Sequence, residues 1–184
     1  MIRLRKASSD DLDFISRLEK RFASLGYVGS DSDQLHKQRM EGPDSAYLVI
    51  ERLGEPVGFV ILCGLNSINR SIELKRVAVS EPGCGTGREA LRQVMRMAFS
   101  ELSAHRLWLD VYSDNQRALR TYRALGFMEE GTMRECIWHG GKFRSLVLMS
   151  LLEQDFKPLL ASPTIGYDHR GSVAETLRLR RQRA

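Results

Sequence analysis

Three glycines at alternate positions, Gly83, Gly85 and Gly87, follow the apolar run Val77-Ala78-Val79 and precede the charged, helix-forming Arg88-Glu89-Ala90. Residues of these types in this order make an anion site. Glycine has no Cβ, so the backbone reaches positive φ and a bulky ligand can approach it closely. The first turn of the following helix presents unpaired N–H groups and a partial positive charge, which suits a phosphate. A cofactor carrying a pyrophosphate is the expected ligand.

Two other phosphate-binding patterns compete for the same loop. Gly85-Thr86-Gly87-Arg88-Glu89-Ala90 fits G-x-G-x-x-A, with Asp110 about 20 residues further on, as in a dinucleotide fold. Such a fold carries the fingerprint on its first strand and continues through strand–helix crossovers. Here three strands precede the one that carries the loop and an antiparallel hairpin closes the core, which argues against it. A nucleotide-triphosphatase loop needs Lys and Ser or Thr after its last glycine, and Gly87 is followed by Arg88 and Glu89.

Hydrophobic periodicity sets out the elements that hold the loop. Residues 2–5 read as a strand, and Ser8-Ser9-Asp10-Asp11 caps a helix whose apolar residues Leu12, Ile15, Leu18 and Phe22 share a face up to Gly26. A second helix spans residues 32–40. Strands at 47–53 and 57–63 flank Gly54-Glu55-Pro56 as a hairpin. The strand at 72–79 leads into the glycine loop and a helix over 88–102, followed by a strand at 106–111. Ser113 or Asp114 is expected to cap the next helix, which runs to Ala124 and ends at Gly126 in the left-handed conformation. Strands at 128–137 and 143–152 close the core around His139-Gly140-Gly141-Lys142, and Pro158 and Pro163 mark the exit from it. The element order predicts a mixed α/β sheet.

The chain has 184 residues, 42% hydrophobic and 28% charged, enough for one core and too few for two comfortable domains. We expect one domain over residues 1–156 and a basic tail over 157–184, whose order the sequence leaves open. From Pro158 onward five arginines face Asp168 and Glu175, a local charge of +3 within the total of +5. This tail is the one segment that leaves nucleic-acid contact open, although no aromatic residues interleave its arginines. No run of 18 apolar residues exists, and the amino terminus lacks an apolar signal core, so a cytoplasmic protein without a membrane partner is expected. Cys63, Cys84 and Cys136 show no disulfide or metal spacing and are expected to be reduced, with Cys84 alone exposed. His36, His105, His139 and His169 are scattered and none reads as a metal ligand, while Trp108 and Trp138 read as core or sheet-face residues.

A second constellation, Asn115-x-x-Ala118-x-x-x-Tyr122-x-x-x-Gly126-Phe127, follows the strand after the glycine helix. With both elements in this order, residues 2–156 resemble the GCN5-related N-acetyltransferase (GNAT) family. Gly126-Phe127-x-x-Glu130-Gly131-x-x-Arg134 and the closing Gly141-Lys142-Phe143-Arg144-Ser145 resemble its ribosomal-protein-alanine and spermidine acetyltransferase branch. The resemblance implies a single α/β (α+β) domain, its mostly antiparallel sheet splayed at two central parallel strands and flanked by helices. It also implies acetyl transfer from acetyl-coenzyme A to a primary amine, on a small molecule such as a polyamine or on a protein N-terminus.

On that resemblance the pantetheine arm pairs with the backbone of Val77, Ala78 and Val79 like an added strand. The amides of Gly83, Cys84, Gly85, Thr86, Gly87 and Arg88 hold the pyrophosphate, and Asn115 and Ala118 line the cofactor arm. Pro82 stands where the family often has Arg or Gln, so one phosphate or side-chain contact is expected to be absent while the backbone cradle survives. Tyr122 is expected to protonate the departing thiolate, since an ordinary tyrosine keeps its proton to a pKa of about 10. Glu73 is the expected base for the acceptor amine, through a water, and a backbone N–H near Val79 would meet the oxyanion. No cysteine or serine lies beside an evident base, so direct attack is expected. Two alternatives stay open, a coenzyme-A-binding regulatory module without turnover and a ribosome- or RNA-associated factor that uses its basic tail; for any of these readings the sequence leaves a homodimer open.

Overall fold

The computed structural model describes residues 1–27 and 29–160. In chain order it contains β1 (Ile2–Lys6), α1 (Leu12–Ser24), α2 (Asp33–Glu41), β2 (Ser45–Arg52), β3 (Glu55–Cys63), β4 (Ser71–Val79) and α3 (Thr86–Arg96). These are followed by β5 (Arg106–Tyr112), α4 (Gln116–Ala124), β6 (Met128–His139), β7 (Lys142–Leu152) and α5 (Glu153–Leu160). One seven-stranded sheet has the order β1-β2-β3-β4-β5-β7-β6. All neighbours are antiparallel except β4 and β5, which is the mixed sheet expected.

Alternation decides which helices cover which face. Even-numbered residues of β2 and β3 (Leu48, Ile50, Val60, Leu62) meet Leu91, Val94 and Met95 of α3 and Leu119 of α4 in the larger core. Odd-numbered residues (Tyr47, Val49, Phe59, Ile61) meet Ile15 and Leu18 of α1 on the other face. The sheet is thus the middle of three layers, buried on both sides at its centre. A 3-10 turn over Ser9–Asp11 leads into α1, and its start is a capping box in which the Ser8 amide donates to Asp11 at 2.7 Å.

The core face changes parity within β4. Ile72 and Leu74 pack on the α3 side, and so do Val77 and Val79. Cross-strand pairing shows why: Leu74 faces Leu62 while Arg76 faces Ile61, so Lys75 is an extra residue, a β-bulge. A bulge bends its strand and increases the local twist. Opposite the far end of β4, Gly58 approaches so closely that a Cβ there would lie 2.5 Å from the Ala78 carbonyl oxygen and 3.1 Å from Val79 Cα. Gly58→Ala is therefore expected to cost about 2 kcal/mol through forced displacement of β4. A thermal melt lowered with no change in acetyl-coenzyme A affinity would show that β4 had not moved.

Several local expectations are corrected. α3 ends at Arg96 and continues to Glu101 as a π-helical turn that buries Met97, Ala98 and Phe99, rather than running as one α-helix to residue 102. α4 is capped by Asn115, whose side chain accepts from the Ala118 amide at 3.2 Å. Neither Ser113 nor Asp114 fills that role, because the Asp114 carboxylate is held by Arg144. Cys136 is exposed as well as Cys84, since an irregularity in β6 breaks the pairing between Met133 and Ile137. Trp138 is 64% exposed at the tip of the β6–β7 hairpin, stacked edge-on with exposed Phe143 at 4.8 Å. Helix α5 carries through Pro158, anchored by Phe156 stacking on Phe99 at 4.9 Å. The basic tail expected from residue 157 lies, beyond residue 160, outside the described residues.

Candidate active site

β4 and β5 pair over three residues only, Ser71–Glu73 against Arg106–Trp108. Past that point each strand follows its other neighbour: β5 stays paired with β7 along its whole length and β4 with β3. The two strands part, and the β5-facing edge of β4 from Leu74 to Val79 is left without a strand partner. Val77, Ala78 and Val79 lie on this open edge, opposite Val60, Phe59 and Gly58 of β3. An unpaired strand edge offers a row of N–H and C=O groups to an extended ligand.

The open edge runs straight into the glycine loop. Gly83 (φ 109°) and Gly85 (φ 82°) adopt the left-handed conformation, and a Cβ on either would meet nothing within 4 Å. Gly85 is the N-cap of α3, and the first bond inside the helix is Glu89 N–H to Gly85 C=O at 3.0 Å. The amides of Thr86, Gly87 and Arg88 precede that bond and have no intrahelical partner. Gly87 packs under Val79, with its Cβ position 3.8 Å from Val79 Cγ1. Cys84 donates to the Glu81 carbonyl at 3.1 Å and lies 3.3 Å from Thr86 Oγ1, which lowers its thiol pKa. Glu81, the carboxylate within the loop, is compensated by Arg52 at 2.9 Å. Free amides, a helix N-terminus and space above positive-φ glycines fit a diphosphate.

α4 follows β5 and packs on the larger-core face of the sheet. Ala118 and Tyr122, one turn apart, both pack against the larger core, and Tyr122 meets Phe127 edge-on at 5.7 Å. The Tyr122 side chain is 8% exposed. Its hydroxyl makes no hydrogen bond with a described residue and is not among the fully buried polar atoms left without a partner, so the ring is packed inside while the oxygen keeps slight access to solvent. Burial, and after it the charge of Asp110, push the Tyr122 pKa well above the ordinary tyrosine value, so the group is a committed O–H donor. Asn115 sits at the start of the same helix, its side-chain oxygen occupied by the cap.

Glu73 is the last β4 residue paired with β5, on the sheet face covered by α1 and α2. Its carboxylate accepts from Lys75 Nζ at 3.1 Å. Beside it lies a buried charge network invisible to periodicity. Glu19 of α1, 1% exposed, binds His36 Nε2 at 3.1 Å, Arg76 Nε at 2.7 Å and the Asp31 amide at 2.9 Å. His36 Nδ1 lies 3.0 Å from the Tyr47 hydroxyl, and Asp31 is also bound by Arg39 and, at 3.4 Å, by Arg76. The network pins the α1–α2 segment to β4 just after the bulge. Arg144 of β7 pins the same segment from the other side. Its guanidinium lies 3.7 Å over the Tyr112 ring and donates to the Gly26 carbonyl and to Asp114. The mouth of the cleft is thus framed by the α1–α2 segment, the end of β5 and the β6–β7 hairpin.

Among the described residues no group of three or more His, Cys, Asp or Glu could hold a metal ion, and no helix is long and apolar enough to cross a membrane. An acetyltransferase (GNAT) family model matches residues 12–127. The spermidine N(1)-acetyltransferase of Escherichia coli K12 is 24% identical over 163 residues, covering 84% of this chain and 88% of its own length. A putative ribosomal N-acetyltransferase of Bacillus subtilis is 29% identical over 105 residues, 56% of this chain and 57% of its own length. The structure of a Vibrio cholerae spermidine N-acetyltransferase, in complex with CoA and spermine, has the same fold with a TM-score of 0.77 at 24% identity, covering 85% of this chain and 98% of that one. With its split sheet, glycine loop and α4 motif inside a family match that covers more than half of its length, the chain belongs to the GNAT family of acetyltransferases.

Proposed function

We propose that the chain transfers the acetyl group of acetyl-coenzyme A, the cosubstrate of this family, to a primary amine of a polyamine of the spermidine kind. The observation that carries the reading is the open edge of β4 running into three unpaired helix-start amides. It provides an extended track for a pantetheine arm and an anion seat for the diphosphate at its end. Val77, Ala78 and Val79 would hold the arm, and Gly83 to Arg88 the diphosphate. Asn115 and Ala118, at the head of α4, would line the arm near its reactive end.

Tyr122 acts as the acid. Its O–H donates to the sulfur as the thioester C–S bond breaks and gives up its proton to the thiolate. The nitrogen, on becoming an amide, returns a proton to the phenolate. Glu73 takes the proton that the ammonium must lose before attack, through a water, because its own carboxylate is already bonded to Lys75. The choice of a polyamine rests on the acceptors in the names of the E. coli and V. cholerae relatives, which match over most of the chain. Thiol release from acetyl-coenzyme A, followed with spermidine, spermine and peptides bearing free N-termini, tests it. Turnover with spermidine is expected. Turnover with peptide N-termini alone would move the assignment to protein acetylation, and coenzyme A binding without turnover to a regulatory module.

A further inference from the structure

Along β5, Trp108, Asp110 and Tyr112 alternate with the buried Leu107, Leu109 and Val111. Trp108 is the last β5 residue paired with β4, and Asp110 stands two residues beyond it, where β5 has become one wall of the split. Asp110 is exposed, and its carboxylate makes no hydrogen bond or ion pair with any described residue. That sets it apart from the carboxylates around it. Glu73 is bound by Lys75, Asp114 by Arg144, Asp31 by Arg39 and Arg76, and Glu19 by Arg76 and His36. After burial, the charge of Asp110 is the second cause that raises the Tyr122 pKa.

We propose that Asp110 receives the ammonium group of the acceptor at the mouth of the split and gives the enzyme its preference for cationic amines. The proposal rests on the amine-acetylation reading above and adds the acceptor contact to it. An alkyl amine with a pKa near that of lysine, about 10.4, arrives at neutral pH as an ammonium ion. A carboxylate with a basic partner offers that ion little. One without a partner forms a charge-assisted hydrogen bond and loses no existing ion pair in doing so. Held between Asp110 and Tyr122, the nitrogen loses one proton to Glu73 by way of water and forms its bond to the acyl carbon as the C–S bond breaks. Its second proton goes to the phenolate that has just supplied the thiolate. Ammonium and thioester thus become amide and thiol, with one proton released.

The test is steady-state kinetics of the full chain with spermidine, comparing D110N, D110E and E73Q with the unmodified protein. D110N is expected to raise the KM for spermidine about tenfold with kcat within about threefold, as befits loss of a hydrogen bond to a charged group. Its affinity for acetyl-coenzyme A should stay unchanged, D110E should recover most of the KM, and E73Q should instead lower kcat. Because Asp110 is exposed and unbonded, D110N should melt with the unmodified protein, and D110S provides a second variant if it does not. A spermidine KM unchanged in both D110N and D110S overturns the proposal while leaving acetylation intact. An unmodified chain that acetylates no spermidine overturns the polyamine reading, and this inference with it.

Discussion

Tyr122→Phe is expected to lower kcat by about a hundredfold or more, with the affinity for acetyl-coenzyme A within about twofold, the range for removal of a positioned proton donor. The substitution is clean for a structural reason. The ring provides the packing against Phe127 and the core, and phenylalanine keeps it. The hydroxyl makes no hydrogen bond with a described residue, so its removal leaves none of them an unsatisfied partner and stability is expected to hold. A structural tyrosine would show the opposite result, with unchanged kcat. The pH profile provides an independent check. Burial disfavours the phenolate and raises the Tyr122 pKa, so the protonated form persists through the range near pH 10 where an exposed tyrosine ionises. In the unmodified enzyme kcat should therefore show no fall assignable to tyrosine up to about pH 10. A descending limb below that range, absent from the phenylalanine variant, would place the phenol in a wetter setting than the fold gives it.

The parts of this site that the sequence makes legible are those built from neighbours in the chain. Gly83, Gly85 and Gly87 mark the anion seat because positive φ and a helix start are short-range properties, and the structure puts positive φ at the first two. The Asn115 to Phe127 motif lies within one helix and its exit turn, so the resemblance that singles out Tyr122 and Asn115 is carried by near neighbours in the chain. The split between β4 and β5 is different. It depends on β5 pairing with β7 some 40 positions away, which no local pattern encodes. The bulge at Lys75 did have a signal. Ile72 and Leu74 are even-numbered and Val77 and Val79 odd-numbered, and a strand cannot keep both pairs on one face without an inserted residue.

Charges were the hardest part to read. Glu19, His36 and Arg76 come from three elements, and each by itself is an ordinary polar residue on an amphipathic segment; only the tertiary fold shows that they neutralise one another. His36 seemed one of four scattered histidines. Its position on α2, a helix with little apolar patterning, gives no hint that it is the residue buried beneath that helix. Asp110 drew notice in the sequence only as the acid of a dinucleotide fingerprint that the element order rejects. Its unpaired state becomes visible once Lys75, Arg76, Arg39 and Arg144 have been assigned to other carboxylates.

Glu19→Ala is expected to destabilise the fold by about 3–5 kcal/mol, because it leaves a buried cation without its counter-charge. The Glu19 carboxylate is 1% exposed and holds Arg76 Nε, His36 Nε2 and the Asp31 amide together. Asp31 still reaches Arg76 at 3.4 Å, which favours the lower end of that range. The same carboxylate makes stability depend on pH in a defined direction. Burial alone would raise its pKa, but the hydrogen bonds from His36 and Arg76 outweigh burial and bring it down to about 2. A folded pKa below the ordinary value near 4.5 means that the stabilisation is complete above that value and drains away as pH falls from about 4.5 to about 2. At about 1.4 kcal/mol per pH unit of difference, the loss over that window is of order 3 kcal/mol. Denaturant unfolding at a series of pH values should show this acid slope in the unmodified protein and a shallower one in Glu19→Ala. Equal slopes would mean that Glu19 is not the titrating group. Because the network ties the α1–α2 segment to β4 beside the split, the variant should also raise the acceptor KM at temperatures where it remains folded. Acetyl-coenzyme A affinity, set on the far side of the bulge, should stay unchanged.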